Sequence, residues 1–291
     1  MSDPVKARPR RERVLSVLQP AASACVRLAA RWRIDPLWLV TLHGVMGLIA
    51  AYLIATSGPG TSGTPSSPGW IVAALLLLGK AILDNADGGL ARATGKVTRM
   101  GRYYDTGVDL ISGVALFAAL ATRVPAALAL AGWFASTIVL SLDFNMERLY
   151  RAVNDPREGR GPAGFADIHL PRGAPAPLYA LFEGLYRLLF APQDRWIERA
   201  DRALFRRIDG VPYPHAPAER QRRWSDLFST SALVDLGLST QNVALAALLI
   251  LGVPGAFPWL ALAGLAWAIA VQVRRVARYR AYSRIEEADS T

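Results

Sequence analysis

Six apolar stretches alternate with polar connections along this chain. They lie at residues 37–56, 70–83, 105–122 (apolar from residue 110), 125–141, 231–251 and 257–273. A helix needs roughly 20 apolar residues to cross a hydrocarbon core about 30 Å thick. The pattern therefore predicts an all-α integral membrane protein with six transmembrane helices.

Basic residues are confined to alternate connections. They crowd the segment before the first span, the second-to-third connection, the long fourth-to-fifth connection and the tail. Residues 57–69 and the turn before the sixth span carry no charge, and the third-to-fourth turn has only Arg123. Cytoplasmic loops are enriched in Lys and Arg. We expect both termini in the cytoplasm, and a bacterial inner (plasma) membrane protein whose active site faces the cytoplasm.

The same pattern divides the chain into five parts. Residues 1–34 form a basic cytoplasmic or interfacial arm, 35–142 hold the first four spans, 143–230 are an Arg-rich cytoplasmic insertion, 231–273 hold the last two spans, and 274–291 are a cytoplasmic tail. Residues 155–177, rich in Gly and Pro, indicate a loop.

Three stretches outside the spans are amphipathic at helical spacing. The apolar positions in the arm are Val14, Leu15, Leu18, Ala22, Val26 and Ala29. We expect an interfacial helix there on an anionic membrane surface, kinked or split at Pro20, with similar helices at 180–189 and 196–208. The Arg residues of the insertion serve either membrane anchoring and topology or binding of a phosphorylated substrate.

Composition removes several other classes. The 33 Lys+Arg outnumber the 23 Asp+Glu for a net charge of +10, yet 52% of residues are hydrophobic and mean hydropathy is +0.23. Long apolar stretches between Arg clusters argue against a disordered chain and a DNA-binding domain. A single Cys25 and three separated His residues argue against disulfides and a Cys/His zinc site.

Carboxylates mark the candidate chemistry. Asp84 and Asp87 share one helix face at the cytoplasmic end of the second span, and Asp105 with Asp109 share a face at the start of the third. Two adjacent antiparallel helices then bring four carboxylates to one depth. One aspartate inside a membrane helix costs about 3 kcal/mol, so the cluster needs balancing charge. Two divalent cations with all-oxygen ligands, Mg²⁺ or Mn²⁺, would supply it.

Small residues and a guanidinium accompany these carboxylates. Gly88 and Ala91 continue the face of Asp84 and leave room for a phosphate beside the backbone, while Arg92 offers a fork that matches phosphate oxygens. Taken singly, each residue has an ordinary explanation as a helix cap, small-residue packing or a topology signal. The Thr94-Gly95-Lys96 sequence lacks the earlier Gly and the following Ser/Thr of a Walker A loop.

The cluster resembles the complete signature of the CDP-alcohol phosphotransferase (CDP-alcohol phosphatidyltransferase) family. The matching positions, with every spacing kept, are Asp84, Asp87, Gly88, Ala91, Arg92, Gly101, Asp105 and Asp109. The resemblance is firm over residues 83–110 and loose over 34–273. A family motif before the first span is only half matched, by Pro36-Leu37, and the 143–230 connection is long for the smaller bacterial members.

The resemblance implies roles for these residues. Asp84, Asp87, Asp105 and Asp109 would hold two Mg²⁺ or Mn²⁺ ions, and Asp109 would also accept a proton. Gly88, Arg92 and the Thr98 hydroxyl would contact the CDP donor, with Ala91 and Gly101 in the same substrate-binding set.

We therefore expect a phospholipid-synthesis enzyme that transfers a phosphatidyl group from CDP-diacylglycerol to a small alcohol and releases CMP. The alternative is transfer of a phospho-alcohol from a soluble CDP-alcohol to diacylglycerol. A different class, a cation transporter with intramembrane carboxylates, would place them near the midplane. The expected partners are a CDP-linked donor, an alcohol acceptor and membrane lipids, without nucleic acid, and a homodimer is left open.

Overall fold

The computed structural model describes residues 12–60, 65–154 and 191–289, with isolated positions between 180 and 188. Helices account for all regular elements in those ranges, as the sequence predicts. They are α1 (Arg13–Arg31), α2 (Pro36–Thr56), α3 (Pro68–Ala93), α4 (Arg99–Leu120), α5 (Ala126–Asn154), α6 (Ala191–Asp209), α7 (Ala218–Trp224), α8 (Leu227–Ala232), α9 (Leu238–Ile250) and α10 (Phe257–Asp289). The predicted loop at 155–177 lies outside the described residues, and so do four of the ten positions of the predicted helix at 180–189; the described positions of that helix are helical.

Four of the described helices are long and apolar enough to cross a membrane. They are α2, α3, α5 and the segment Pro254–Ser283, which contains most of α10. These helices coincide with the first, second, fourth and sixth predicted spans. The third predicted span is α4, whose 22 residues include Arg102, Asp105 and Asp109 in its first half. Because its first half is polar, α4 is not among the helices that are apolar enough by composition to cross a membrane.

The fifth predicted span is not one continuous helix. Residues 231–251 contain the end of α8, a 3₁₀ turn at Val234–Leu236 and the 13-residue α9. Gly237 interrupts the helical backbone with φ −63° and ψ 170°, and the Asp235 carboxylate accepts a hydrogen bond from the Arg13 backbone N–H at 2.8 Å. At 1.5 Å per residue α9 spans only about 20 Å. Residues 231–251 are apolar as predicted, but the prediction that they form one continuous helix is wrong.

Local capping signals set where the helices around the cluster begin. The Asp35 carboxylate accepts a hydrogen bond from the Leu37 N–H at 3.1 Å, and Pro36 occupies the first turn of α2. Ser67 and Pro68 repeat this arrangement at α3, and Thr98 caps α4. Side-chain oxygens at these positions satisfy N–H groups that have no partner within the helix. The caps fix which residues of α3 and α4 share a depth.

Lys96, in the short connection between α3 and α4, holds the cap of α2. Its ammonium lies 2.9 Å from the Asp35 carboxylate. Burial opposes ionisation of Asp35, but the hydrogen bonds from Lys96 and the Leu37 N–H outweigh it and lower the pKa of Asp35. The pair ties the start of α2 to the connection that carries the signature.

Close approach of α2 to α4 depends on glycines. A Cβ at Gly44 would collide with the Cγ1 methyl of Val108, and one at Gly47 would lie 2.9 Å from Ser112 Oγ. The far half of this bundle is filled by apolar residues of α2, α3, α4 and α9, among them Ile54, Leu77, Leu120 and Leu249. Packing without side chains at Gly44 and Gly47 brings α2 against both helices that carry the signature.

Helix α1 covers the signature end of α3 instead of lying only on a membrane surface. Ala22 and Ala29 are buried against Ala86 and Leu90 of α3. The helix is continuous through Pro20, so the predicted split is wrong, and the predicted kink stays a prediction. Pro20 removes one N–H from the helix, and packing against α3 supports the turns that follow it. Exposed Val17, Leu28 and Trp32 remain available for lipid.

The ends of α5 and α10 form a second core together with α6 and α7. Phe205, Trp224 and Tyr279 make edge or tilted ring contacts at centroid distances of 5.3 to 5.5 Å. Beside them Arg275 Nη1 donates a hydrogen bond to Asp201 Oδ1 at 2.7 Å, with both side chains buried. The predicted divisions at 142/143 and 273/274 therefore fall inside continuous helices.

Arg123 binds the end of α2 at the opposite end of the bundle from the carboxylates. Its Nη2 donates to the carbonyl oxygens of Ile54 at 2.9 Å and Ala55 at 3.1 Å, and also to that of Ser57. Its guanidinium carbon lies 5.4 Å from the centroid of the Trp70 ring. The side chain thus joins the α4–α5 turn to α2 and α3.

The glycine contact predicts a difference between two variants. Gly44→Leu should lower the thermal unfolding midpoint in mild detergent, since overpacking a tight contact costs roughly 1–3 kcal/mol. Gly58→Leu is the matched control, because no atom lies within 4 Å of a Cβ at that position. Equal midpoints for the two variants would show that the α2–α4 contact tolerates a side chain.

Candidate active site

Three predicted metal ligands meet around a histidine from a third helix. His43, on α2, is fully buried. Its Nε2 lies 3.2 Å from Asp87 Oδ2, 3.5 Å from Asp105 Oδ1 and 4.0 Å from Asp84 Oδ1. The caps and the glycine contacts described above bring α2, α3 and α4 to this point. The predicted convergence of α3 and α4 is present, with His43 at its centre.

This group has the dimensions and the unsatisfied atoms of a metal site. One ligand atom from each of His43, Asp84, Asp87 and Asp105 lies within 4.8 Å of the others. His43 Nε2, Asp87 Oδ2 and Asp105 Oδ1 are buried, and apart from their contacts with one another they have no hydrogen-bond partner. Buried polar atoms normally have partners because leaving them unsatisfied costs free energy. Carboxylate oxygens suit Mg²⁺ and Mn²⁺, and an imidazole adds a ligand that transition metals accept, so the residues fit a divalent cation.

Asp109 lies beside this group but is paired with a lysine. Lys80 Nζ donates a hydrogen bond to Asp109 Oδ1 at 2.6 Å and lies 3.2 Å from His43 Nδ1. The Lys80 side chain is 2% exposed. Asp109 Oδ1 is also 3.9 Å from His43 Nδ1. The fourth carboxylate is therefore neutralised by a resident ammonium, and its predicted role as a metal ligand stays a prediction.

The cluster is most accessible at Asp105. The exposed fraction of the side chain is 39% for Asp105, against 16% for Asp84, 19% for Asp109 and 7% for Asp87. Nearby, between the starts of α2 and α4, is a cavity of about 290 Å³ lined in part by Trp38, Thr41 and Tyr104. A hydrogen bond of 2.8 Å joins Thr41 Oγ1 to Tyr104 OH in that wall. A substrate would approach the carboxylates from the Asp105 side.

A larger cavity lies elsewhere and holds none of the predicted site residues. Its volume is about 560 Å³, and its walls include Arg202, Arg206, Arg207 and Tyr213. We place the candidate site at the carboxylates, where buried unsatisfied atoms converge, and not at this surface depression.

Gly88 and Arg92 are adjacent in space as well as in sequence. A Cβ on Gly88 would lie 3.2 Å from Arg92 Nη1, so the guanidinium lies over the glycine on the surface of α3. Arg92 is exposed and Ala91 is half-buried. The Gly88 backbone and the Arg92 guanidinium therefore occupy the same part of the α3 surface. The predicted contacts of these residues with a donor stay predictions.

Thr98 and Gly101 take part in the start of α4. Thr98 Oγ1 accepts a hydrogen bond from the Gly101 N–H at 3.0 Å. The Thr98 hydroxyl keeps its own proton to donate elsewhere. A capping role is therefore compatible with the predicted donor contact, which is likewise untested.

His43 and Lys80 are site residues that the sequence analysis missed. Each is an ionisable residue inside an apolar stretch, and such residues are functional candidates by default. Lys80 also precedes Asp84 by four residues, so the two share a helix face. That signal was available for Lys80. His43 faces α3 and α4 only through tertiary packing, and its position in α2 alone could not identify its partners.

The sequence matches the model of a known protein family. The model for CDP-alcohol phosphatidyltransferase matches residues 36–199, more than half of the 291 residues. The chain belongs to this family. Neither the curated proteins nor the solved structures contain a match to it. A CDP-alcohol phosphatidyltransferase transfers a substituted phosphate group from a CDP-alcohol donor to an alcohol acceptor in phospholipid biosynthesis, and the family depends on divalent metal. With four membrane-length apolar helices among its described residues, the chain is an integral membrane protein of this enzyme family.

The unsatisfied carboxylates predict stabilisation by metal. Adding Mg²⁺ or Mn²⁺ to EDTA-treated protein should raise its unfolding midpoint, since a ligand at 100 times its Kd adds about 2.7 kcal/mol to folding stability. The measurement is thermal unfolding in detergent with and without metal. Asp87→Asn, which keeps the shape but removes a charged ligand, should shrink the response. An unchanged wild-type midpoint would contradict a metal site here.

Proposed function

We propose that this chain transfers a phosphatidyl group from CDP-diacylglycerol to a small alcohol and releases CMP. The observation that carries the proposal is the convergence of signature carboxylates from α3 and α4 beside Gly88 and Arg92. A diacylglycerol-linked donor suits a site at the end of membrane-length helices, because its acyl chains can stay in lipid while the diphosphate reaches the carboxylates.

The proposed membrane arrangement adds α4 and α9 to the four apolar helices. Helix α4 packs against α2 and α5, and α9 packs against α3, so both accompany spanning neighbours. The adjoining ends of α3 and α4, with the connection between them, carry Arg92, Lys96, Arg99 and Arg102, whereas residues 57–69 carry no charge. Six crossings with both termini and the carboxylate end in the cytoplasm fit this charge distribution. The fifth crossing would use all of residues 231–251, because α9 alone spans only about 20 Å.

Donor binding in this proposal uses the side of α3 that carries Gly88, Ala91 and Arg92. Gly88 and Ala91 have no bulky side chain, so a phosphate can approach the backbone of α3. The Arg92 guanidinium donates two parallel hydrogen bonds to phosphate oxygens of the CDP group. Thr98 donates its hydroxyl proton to the donor while its oxygen keeps the cap on Gly101. These residues bind and orient the diphosphate next to Asp87 and Asp105.

Asp84, Asp87 and Asp105 are the proposed holders of divalent metal, with His43 Nε2 facing the same space. Bound metal would neutralise the diphosphate and the charge that develops on departing CMP. Resemblance to the family extends the metal set to Asp109 and to two ions. Because these carboxylates lie close together, the negatively charged diphosphate of the donor can bind beside them only if cations offset the repulsion.

Asp109 is the proposed proton acceptor. The acceptor hydroxyl oxygen forms a bond to the phosphorus that carries diacylglycerol, and the bond from this phosphorus to the oxygen of CMP breaks. The hydroxyl proton passes to Asp109, which acts as a general base. Lys80 holds one carboxylate oxygen at 2.6 Å and so fixes the direction of the other.

Purified protein with labelled CDP-diacylglycerol, Mg²⁺ and a panel of alcohols tests the transfer directly. We expect CMP release together with one labelled phospholipid. Asp109→Asn should lower turnover by roughly 10²–10⁴-fold while donor binding persists. A parallel arm with soluble CDP-alcohols and diacylglycerol measures the opposite donor class. Product only in that arm would replace our choice of donor, and near wild-type turnover by Asp109→Asn would place the base elsewhere.

Arg92 should matter through the shape of its side chain. Arg92→Lys keeps the charge but loses the bidentate fork, so KM for the donor should rise. Arg27→Lys on the exposed side of α1 is the control and should leave donor kinetics unchanged. The measurement is initial CMP release across donor concentrations. Identical KM values for Arg92→Lys and wild type would limit Arg92 to a role in topology.

A further inference from the structure

The four signature carboxylates are divided three to one. Asp84, Asp87 and Asp105 share a space small enough for a single ion, with His43 Nε2 directed into it. Two of their oxygens in that space, together with His43 Nε2, are buried and have no hydrogen-bond partner outside this group. Asp109 is outside this group, because its Oδ1 already accepts a hydrogen bond from Lys80 at 2.6 Å.

The Lys80 side chain is enclosed inside the bundle. It is 2% exposed, and its Cδ lies 3.3 Å from where a Gly47 Cβ would be, so the stem is enclosed between α3 and α2. An ammonium without a counter-ion is costly in such surroundings. Asp109 supplies that counter-ion, and His43 Nδ1 lies 3.2 Å from the same nitrogen.

A second divalent cation would need the charge of Asp109 and would face the Lys80 ammonium. Like charges repel strongly where water is scarce. The ammonium therefore already provides the positive charge that a second ion would bring to Asp109.

We propose that the donor-free protein binds one divalent cation, among Asp84, Asp87 and Asp105, and that the Lys80 ammonium takes the place of a second. This departs from the two ions that the family resemblance implies. It rests on the proposed function only in treating these carboxylates as the catalytic site. Its test requires neither donor nor turnover.

The experiment counts bound Mn²⁺ in the purified protein in neutral detergent, using the electron paramagnetic resonance signal of free Mn²⁺ and the magnetic coupling between bound ions. Wild type should bind one ion per chain at the cluster and show no Mn–Mn coupling. Asp87→Asn should weaken or abolish that binding, which assigns the ion to the cluster.

Lys80→Met is the decisive variant, because it keeps an unbranched side chain and removes the charge. It should bind two ions and show Mn–Mn coupling. Lys96→Met is the matched control, since Lys96 is half-exposed and pairs with Asp35 outside the cluster. It should still bind one ion.

Several results would overturn the proposal. Two coupled ions in wild type would show that Lys80 does not exclude the second cation, and no bound ion would remove the site in the donor-free state. One ion in folded Lys80→Met would show that the ammonium is not the cause.

If Lys80→Met fails to fold by circular dichroism and gel filtration, Lys80→Gln gives the same test with a polar neutral side chain. The wild-type count decides the single-ion claim independently of any variant. Transferase activity with two bound ions would leave the proposed function intact and refute this inference. One bound ion without transferase activity would do the reverse.

Discussion

Repulsion among four carboxylates on two neighbouring helices is the constraint on which the rest of this structure depends. Asp84 and Asp87 on α3 face Asp105 and Asp109 on α4, at the ends of membrane-length helices where solvent screening is limited. Such an arrangement needs positive charge or hydrogen-bond donors at close range. Lys80 and His43 provide part of it from within the bundle. The glycines of α2 matter for the same reason, since only a close α2 can bring His43 between the two acidic helices.

Helix α1 extends this dependence to the N-terminal arm. The part of α3 that carries the signature would otherwise present Ala86 and Leu90 on an open face, and α1 covers it. The carboxylate of Glu12, which precedes α1, accepts hydrogen bonds from the Thr240 N–H and hydroxyl at 3.3 and 3.1 Å. The arm is thereby attached to both α3 and α9. A basic segment that looked like a surface anchor also covers the helix that carries the signature.

The sequence revealed what depends on spacing within one helix and missed what depends on contacts between helices. Asp84, Asp87, Gly88 and Arg92 share a face because of helical geometry, which spacing alone gives. The contacts of His43 arise from the packing of three helices, and hydropathy carries no signal for them. The fifth predicted span failed for a related reason, because an apolar average does not register Gly237 or the Asp235 carboxylate that accepts the Arg13 N–H. Pro20 was overrated as a helix breaker because its neighbours gain packing against α3.

The hydrogen bonds of Arg123 to the end of α2 also affect how the chain inserts into the membrane. In the proposed orientation Arg123 is the cation on the far side of the α4–α5 hairpin, so its translocation runs against the usual charge bias. The carbonyl groups that accept its hydrogen bonds lie at the C-terminal end of α2 and carry partial negative charge. Once the hairpin has crossed, the guanidinium is partly neutralised by these dipoles and shielded by the Trp70 ring. The side chain that opposes insertion of the hairpin thus also opposes its withdrawal, because withdrawal would break the hydrogen bonds to those carbonyl groups.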